Sequence, residues 1–293
     1  MRETINNKSK SFVTDWHSVY WFIPVFENPV NMPTLEALTN SLTQKFGSIQ
    51  YMSHTPQLPT QDSDLLGIAL LDHPVYFEQE NKTLPSQLIL YGPSEFSSSD
   101  WTPMIISQFW DCNDKQGFAS RCHYSLMASN LMSATLPFHE QYKIMADYAD
   151  VILELFPDCI GIYWPHSQRL TPRETFLSSN WNSSDLHFLD GGINIRFFNI
   201  EGSNDMLFDT LGFTAIGLPD LQCHCKGLKP NDMVTFLYNL ASYIYTAGDV
   251  IEDGNTVEGI DGGKWFCHRE DSLVEPTRMV LDICPAQYAA GNR

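Results

Sequence analysis

Short runs of aromatic and β-branched residues, each cut off by proline, glycine or asparagine, recur along this chain. Only three stretches keep a helical period. Residues 17–26 (HSVYWFIPVF) read as a buried strand, which Asn28, Pro29, Asn31 and Pro33 then break. Leu35, Leu38, Leu42 and Phe46 fall on one face of a helix that Gly47 stops. Apolar runs at 65–71, 74–77 and 87–91 read as further strands. Residues 92–117 are rich in Ser, Pro, Asp and Trp and read as a loop with one apolar segment at 104–110.

A second round follows. It has a strand at 120–129, a helix at 139–156 behind Pro137, and a strand at 159–164. Met145, Tyr148, Ala149, Ile152 and Leu155 form the inner face of that helix. Residues 166–190 are polar and irregular, with a helical turn at 172–177, and 192–200 resume as a strand. Residues 211–218 and 221–225 read as extended. The third helix starts at Pro230, where no N–H is lost, carries Met233, Val234, Leu237, Leu240, Ala241 and Ile244, and stops at Gly248. Strands at 264–269 and 278–284 close the chain. This order predicts an α+β fold of mostly antiparallel sheets with helices packed on them. The two early rounds point to duplicated ferredoxin-like units. The expected regions are 1–117, 118–205 and 206–293, packed as one compact unit.

Charge narrows the function. Lys and Arg total 17 against 35 Asp and Glu, a formal charge of −18. A nucleic-acid binder needs a basic face, so neither nucleic acid nor an anionic membrane is an expected partner. No apolar run approaches the roughly 18 residues of a membrane span. The polar first ten residues lack a signal peptide's apolar centre, so a cytoplasmic location is expected. The seven cysteines, at 112, 122, 159, 223, 225, 267 and 284, are then core thiols. Trp16, Trp21, Trp164 and Trp265 lie in or beside strands and belong to the core. Trp101, Trp110 and Trp181 stand in polar surroundings, where they either anchor a partner or cap a sheet end.

Catalytic signatures fail individually. His139-Glu140 opens like a zinc-protease motif, but Lys143 stands at the second histidine. Gly262-Gly263-Lys264 lacks the Ser or Thr of a phosphate loop and has Glu258 at its first glycine. Asp249–Asp261 resembles a calcium loop, but Ile251 and Ile260 occupy ligand positions. Cys223-His224-Cys225 with Cys267-His268 holds enough ligands for zinc, yet alternation along a strand sends His224 to the opposite face. A scattered site drawing on Cys122-His123, Asp158-Cys159, His166 or His187 stays open, as does the metal module. No cofactor and no metal is expected. The carboxylates Asp249, Glu252, Asp253, Glu258 and Asp261 of the acidic turn are the candidate partner contacts, with a merely solvated loop as the alternative.

The stretch TLGFTAIGLPDL (210–221), the helix FLYNLASYIY (236–245) and the turn Asp253-Gly254-Asn255-Thr256-Val257-Glu258-Gly259 resemble a bacterial family, the domain of unknown function 4261. That family carries a G-L-P-E/D strand end, an L-L-Y-x-L-A-x-Y helix and a D-G-D-T-I-G turn. Here Asn255 replaces the acid and Glu258 intervenes before Gly259. Ile160–Trp164 with Pro172-Arg173-Glu174 resembles the region upstream, so the likeness extends over 118–284. The resemblance brings no catalytic residues. It implies a cytoplasmic immunity protein that binds the basic toxin of a polymorphic or type VI secretion system.

Overall fold

Strand β1 (Trp21–Phe26) sits in the middle of the first sheet, and its neighbours explain its apolar run. In the computed structural model, which describes residues 19–78, 81–133, 136–181 and 184–291, Phe22, Val25 and Phe26 are buried on both sides of the strand. Trp16, like residues 17 and 18 of the expected first strand, lies outside the described residues. Helix α1 (Leu35–Phe46) starts where the Thr34 side chain accepts from the Ala37 N–H at 3.1 Å. It ends at Gly47, whose φ of 77° is a conformation glycine adopts cheaply. Strands β2 (Ile49–Tyr51), β3 (Leu65–Phe77) and β4 (Lys82–Glu95) follow. The runs at 65–71 and 74–77 are one strand, with a register break between Leu70 and Pro74.

The expected loop at 92–117 contains two short helices, α2 (Pro103–Ser107) and α3 (Lys115–Ser120). Strand β5 (Tyr124–Leu131), helix α4 (Phe138–Leu155) and strands β6 (Cys159–Trp164) and β7 (Arg169–Pro172) complete the first sheet. Its order is β2-β3-β4-β5-β1-β6-β7, with every neighbouring pair antiparallel. β5 and β6 therefore run parallel with β1 between them, and α4 crosses over that gap. α1 and α4 share one face, where Phe22 meets Tyr148 edge-on at 5.7 Å. Trp101, Phe109, Cys112 and Cys122 cover the other face against Val25, Tyr163 and Leu170. Trp101 is thus a core residue and not an exposed anchor, because it packs between Phe96, Phe109 and Tyr163.

After helices α5 (Arg173–Leu177) and α6 (Leu189–Gly192), the chain builds a second sheet. It comprises β8 (Asn194–Asn199), β9 (Asp205–Leu211), β10 (Asp220–Lys226), then helix α7 (Pro230–Ala247), β11 (Thr256–Glu258), β12 (Lys264–Asp271) and β13 (Met279–Cys284). The order is β11-β12-β13-β10-β9-β8, and only β10 with β13 is parallel. Residues 213–216, expected to be extended, form a single 3-10 turn, because Asp220 gathers the N–H groups of Phe213 and Thr214. α7 buries Met233, Leu237, Ala241, Ile244 and Tyr245, and Phe236 packs edge-on against Trp265 at 5.0 Å.

The two sheets share one core, since α4 of the first touches α7 of the second through Phe138, His139 and Tyr245. Two mostly antiparallel sheets with helices packed on them make an α+β fold.

Gly191 lies against the fully buried Trp164, and a Cβ there would sit 1.9 Å from the indole. Gly191→Ala is expected to destabilise by about 1–3 kcal/mol through overpacking. Urea denaturation should show a lower midpoint with an unchanged slope. A change below about 0.5 kcal/mol, the usual surface value, would mean that the contact is not tight.

Candidate functional site

Gly248 ends α7 with a φ of 83° and releases the acidic turn. Three of its five carboxylates shape the turn itself. Asp249 takes the Arg269 guanidinium at 2.6 Å, Asp253 accepts the Arg269 N–H at 2.8 Å, and Asp261 accepts the Gly263 N–H at 3.0 Å. Arg269 also donates to the Ile251 carbonyl at 3.0 Å. Ile251 is buried, and Gly259 lets the turn lie on the Trp265 indole, where a Cβ would come within 2.2 Å. Glu252 and Glu258 make no such bond with their carboxylates among the described residues, and all five acids are exposed. Beside them, β12 shows Phe266, 52% exposed, on the face that also carries Lys264 and His268. The predicted contacts therefore lie on one exposed segment, a fixed acidic turn, with Glu258 on the same sheet face as the exposed ring.

The remaining titratable clusters serve the core. His187 donates or accepts at both ring nitrogens, with Asp190 at 2.8 Å and Asp150 at 3.1 Å, and its side chain is 2% exposed. Burial works against its charge, but the two carboxylates prevail and hold it up at about 9. Asp150 is held below its ordinary range by His187 and Lys45 despite its burial. No nitrogen of this ring is left for a substrate. Burial pushes the thiols of Cys122 and Cys159 up to about 12, so they are protonated at neutral pH and weak nucleophiles. Burial pulls His166 down to about 4, where it stacks on Tyr20. Cys223, Cys225 and Cys267 are buried on the α7 side of the second sheet, whereas His268 is exposed on the other side. Among the described residues no three His, Cys, Asp or Glu side chains are placed to hold a metal ion.

Two arrangements lie outside the sequence-based expectations. The first is a buried charge network on the second sheet. Asp209 pairs with Arg196 (Nε to Oδ1 at 2.9 Å) and with Arg278 at 2.8 Å, and Arg278 also donates to Asp220 at 2.9 Å. All four side chains are within 4% of full burial. The second is a cleft where the edge strands β7 and β8 of the two sheets meet. It encloses about 320 Å³. Its walls include Trp110, Phe197, Val234 and Tyr238, and at its base Arg169 is held by Asp111. The Gln108 side chain closes the free edge of β8, bonding the Phe197 N–H at 2.9 Å and carbonyl at 3.2 Å. The signal in the sequence was a lone charge within an apolar strand, as at Arg196 in GINIRFFNI and Asp209 in MLFDTL.

The sequence model of one family, a domain of unknown function (DUF4261), matches residues 209–284. The resemblance expected over 118–284 is thus shown for its C-terminal part. The matched segment holds Asp209, Asp220 and Arg278 together with the whole acidic turn, while Trp110, Asp111 and Arg169 of the cleft lie outside it. No curated protein and no solved structure matches the chain.

The His187 cluster makes stability pH-dependent. The folded state holds the imidazole proton more tightly than the unfolded chain, in which histidine titrates near about 6.5. Its stabilisation is therefore fully present below about pH 6.5 and is lost as pH rises through about 9. The loss is on the order of 3 kcal/mol. Urea titrations across this window should show wild-type stability falling and most of that slope absent in His187→Gln. Equal slopes in the two proteins would remove the assignment.

Proposed function

We propose that this chain is a protein-binding inhibitor, an immunity protein that neutralises an antibacterial toxin by direct contact in the cytoplasm. The observation that carries this reading is the fixed acidic turn, five exposed carboxylates beside the exposed Phe266, on a chain with a net charge of −18. A concentrated negative surface speeds encounter with a basic protein, and an exposed ring beside it supplies apolar contact once the two have met. Asp249, Asp253 and Asp261 hold the turn's shape, so Glu252 and Glu258 are the carboxylates free to meet a partner. Such a turn needs little reordering on binding, which keeps the entropic cost low.

A hydrolase with a scattered site is the weaker reading. Its strongest histidine, His187, is buried with both nitrogens engaged, and its cysteines are protonated in the core.

The test is to co-express the chain with the product of the adjacent gene, purify through a tag on the chain, and weigh the product by native mass spectrometry. A basic protein is expected at fixed stoichiometry, lethal when expressed alone. The double variant Glu252→Lys, Glu258→Lys should then slow association at least about tenfold at low salt, with a smaller effect at high salt. If the chain emerges alone and its neighbour is harmless, the proposal fails.

A further inference from the structure

We infer that the cleft between the two sheet edges takes an arginine side chain of the basic partner, at a site separate from the acidic turn. The source of that arginine rests on the inhibitor reading above; the chemistry of the pocket does not.

Three aromatic rings, one carboxylate and the Arg169 guanidinium paired with it line a cavity of about 320 Å³. The rings and the carboxylate are the composition that recognises a cation by its attraction to ring faces. Two rings are fixed from behind. Tyr238 stacks on Trp181 at 4.6 Å with the planes 7° apart, and Phe197 stacks on Phe208 at 4.8 Å. Trp110 is 50% exposed at the rim. One face of it already seats a cation, the Lys115 ammonium at 3.9 Å from the ring centre, and Lys115 is not part of the cavity lining.

Asp111 supplies the charge. Its Oδ2 takes both Nε and Nη2 of Arg169, at 3.0 and 2.9 Å, while its Oδ1 accepts no hydrogen bond among the described residues. Arg169 cannot swing over to that oxygen. Its Nη1 is committed to the carbonyls of Leu189 and Ile193, at 3.1 and 3.0 Å. The positive charges nearby are thus bound up, Arg169 by a carboxylate and two carbonyls, and Lys115 by the Ser107 carbonyl and the indole. Burial pushes the Tyr238 phenol up, and the Asp190 and Asp111 carboxylates add to this against the pull of Arg169.

Occupants of other chemistry fit less well. An anion would meet the Asp111 carboxylate of the lining. An apolar anchor would strip water from that carboxylate and offer no donor in return. A guanidinium offers donors along its edge and a flat face for the indole, which a lysine does not.

The pocket can be tested without a partner. The full chain, labelled with 5-fluorotryptophan, is titrated with Nα-acetyl-arginine N-methylamide and followed by fluorine NMR, the Trp110 line being assigned from Trp110→Phe. A saturable shift of that line is expected. The shift should be absent with the norleucine analogue, and absent in Val234→Lys, whose ammonium would enter the cavity from an exposed helix position. No shift, an equal shift with norleucine, or an unchanged shift in Val234→Lys overturns the assignment. With the co-purified partner, Trp110→Ala should raise Kd about 30-fold or more. An unchanged Kd would overturn the pocket's role in the complex and leave the inhibitor reading standing. Absence of any basic partner would overturn the inhibitor reading, and the fluorine titration would decide the pocket on its own.

Discussion

Asp209 lies between two guanidinium groups in the interior of the second sheet, and much of the C-terminal architecture hangs on that arrangement. Arg196 reaches it from β8 and Arg278 from the residue just before β13, so strands at opposite sides of β9 and β10 are tied to one carboxylate. Arg278 also binds Asp220, which in turn accepts from Thr210, Phe213 and Thr214. Two positive and two negative charges are thereby closed off together. Burying a charge costs several kcal/mol unless each partner is well placed, and removing one member leaves the others uncompensated. The network therefore penalises any other register of these strands more than it strengthens this one.

The same guanidiniums hold the segment that follows β12. Arg278 donates to the carbonyls of Val274 and Pro276, Arg196 to that of Glu275, and the Gln222 side chain takes the Leu273 N–H. This loop covers the face of the sheet away from α7. At the β11 edge of the sheet the acidic turn lies against β12, anchored by Arg269 and by the packing of Gly259 on Trp265. Arginine side chains thus fix the turn and both sides of the sheet that presents it. At β8, Arg196 also sets the strand whose Phe197 forms one wall of the cleft.

The three long helices were legible because their signals are local. Leu38, Leu42 and Phe46 repeat at the helical period and Gly47 stops them; Pro230 and Gly248 bracket α7 in the same way. Most strands were legible from their apolar runs. β7 was not, since RLTP is short and half polar, and its pairing with β6 is a tertiary fact. Residues 213–216 have a strand-like composition but turn, because one carboxylate six to seven residues on, Asp220, takes the N–H groups of Phe213 and Thr214. Trp101 looked exposed for want of apolar neighbours in sequence, and finds them in Phe96, Phe109 and Tyr163. The acidic turn could be read directly, as five acids in thirteen residues (249–261). The cleft could not. Its residues come from β7, β8, α7 and the segment after α2, and nothing local links Asp111 to Arg169 or Trp110 to Tyr238.

The distribution of charge then separates what holds the fold from what faces outward. Several buried or half-buried carboxylates have a cation beside them: Arg196 and Arg278 for Asp209, Arg278 for Asp220, His187 and Lys45 for Asp150. Arg196, Arg278 and Lys45 are thereby drawn from the small supply of 17 lysines and arginines. The excess of acid is consequently concentrated at the surface, where repulsion among like charges is weak in water and screened by salt. A chain selected for solubility alone could spread that excess evenly. Here five of the acids are gathered on a turn whose shape three of them maintain, against a sheet edge bearing an exposed phenylalanine. Opposite charge on a second surface complements such a turn at contact, and this gathering of acids, more than the net charge itself, is what the proposed basic partner rests on.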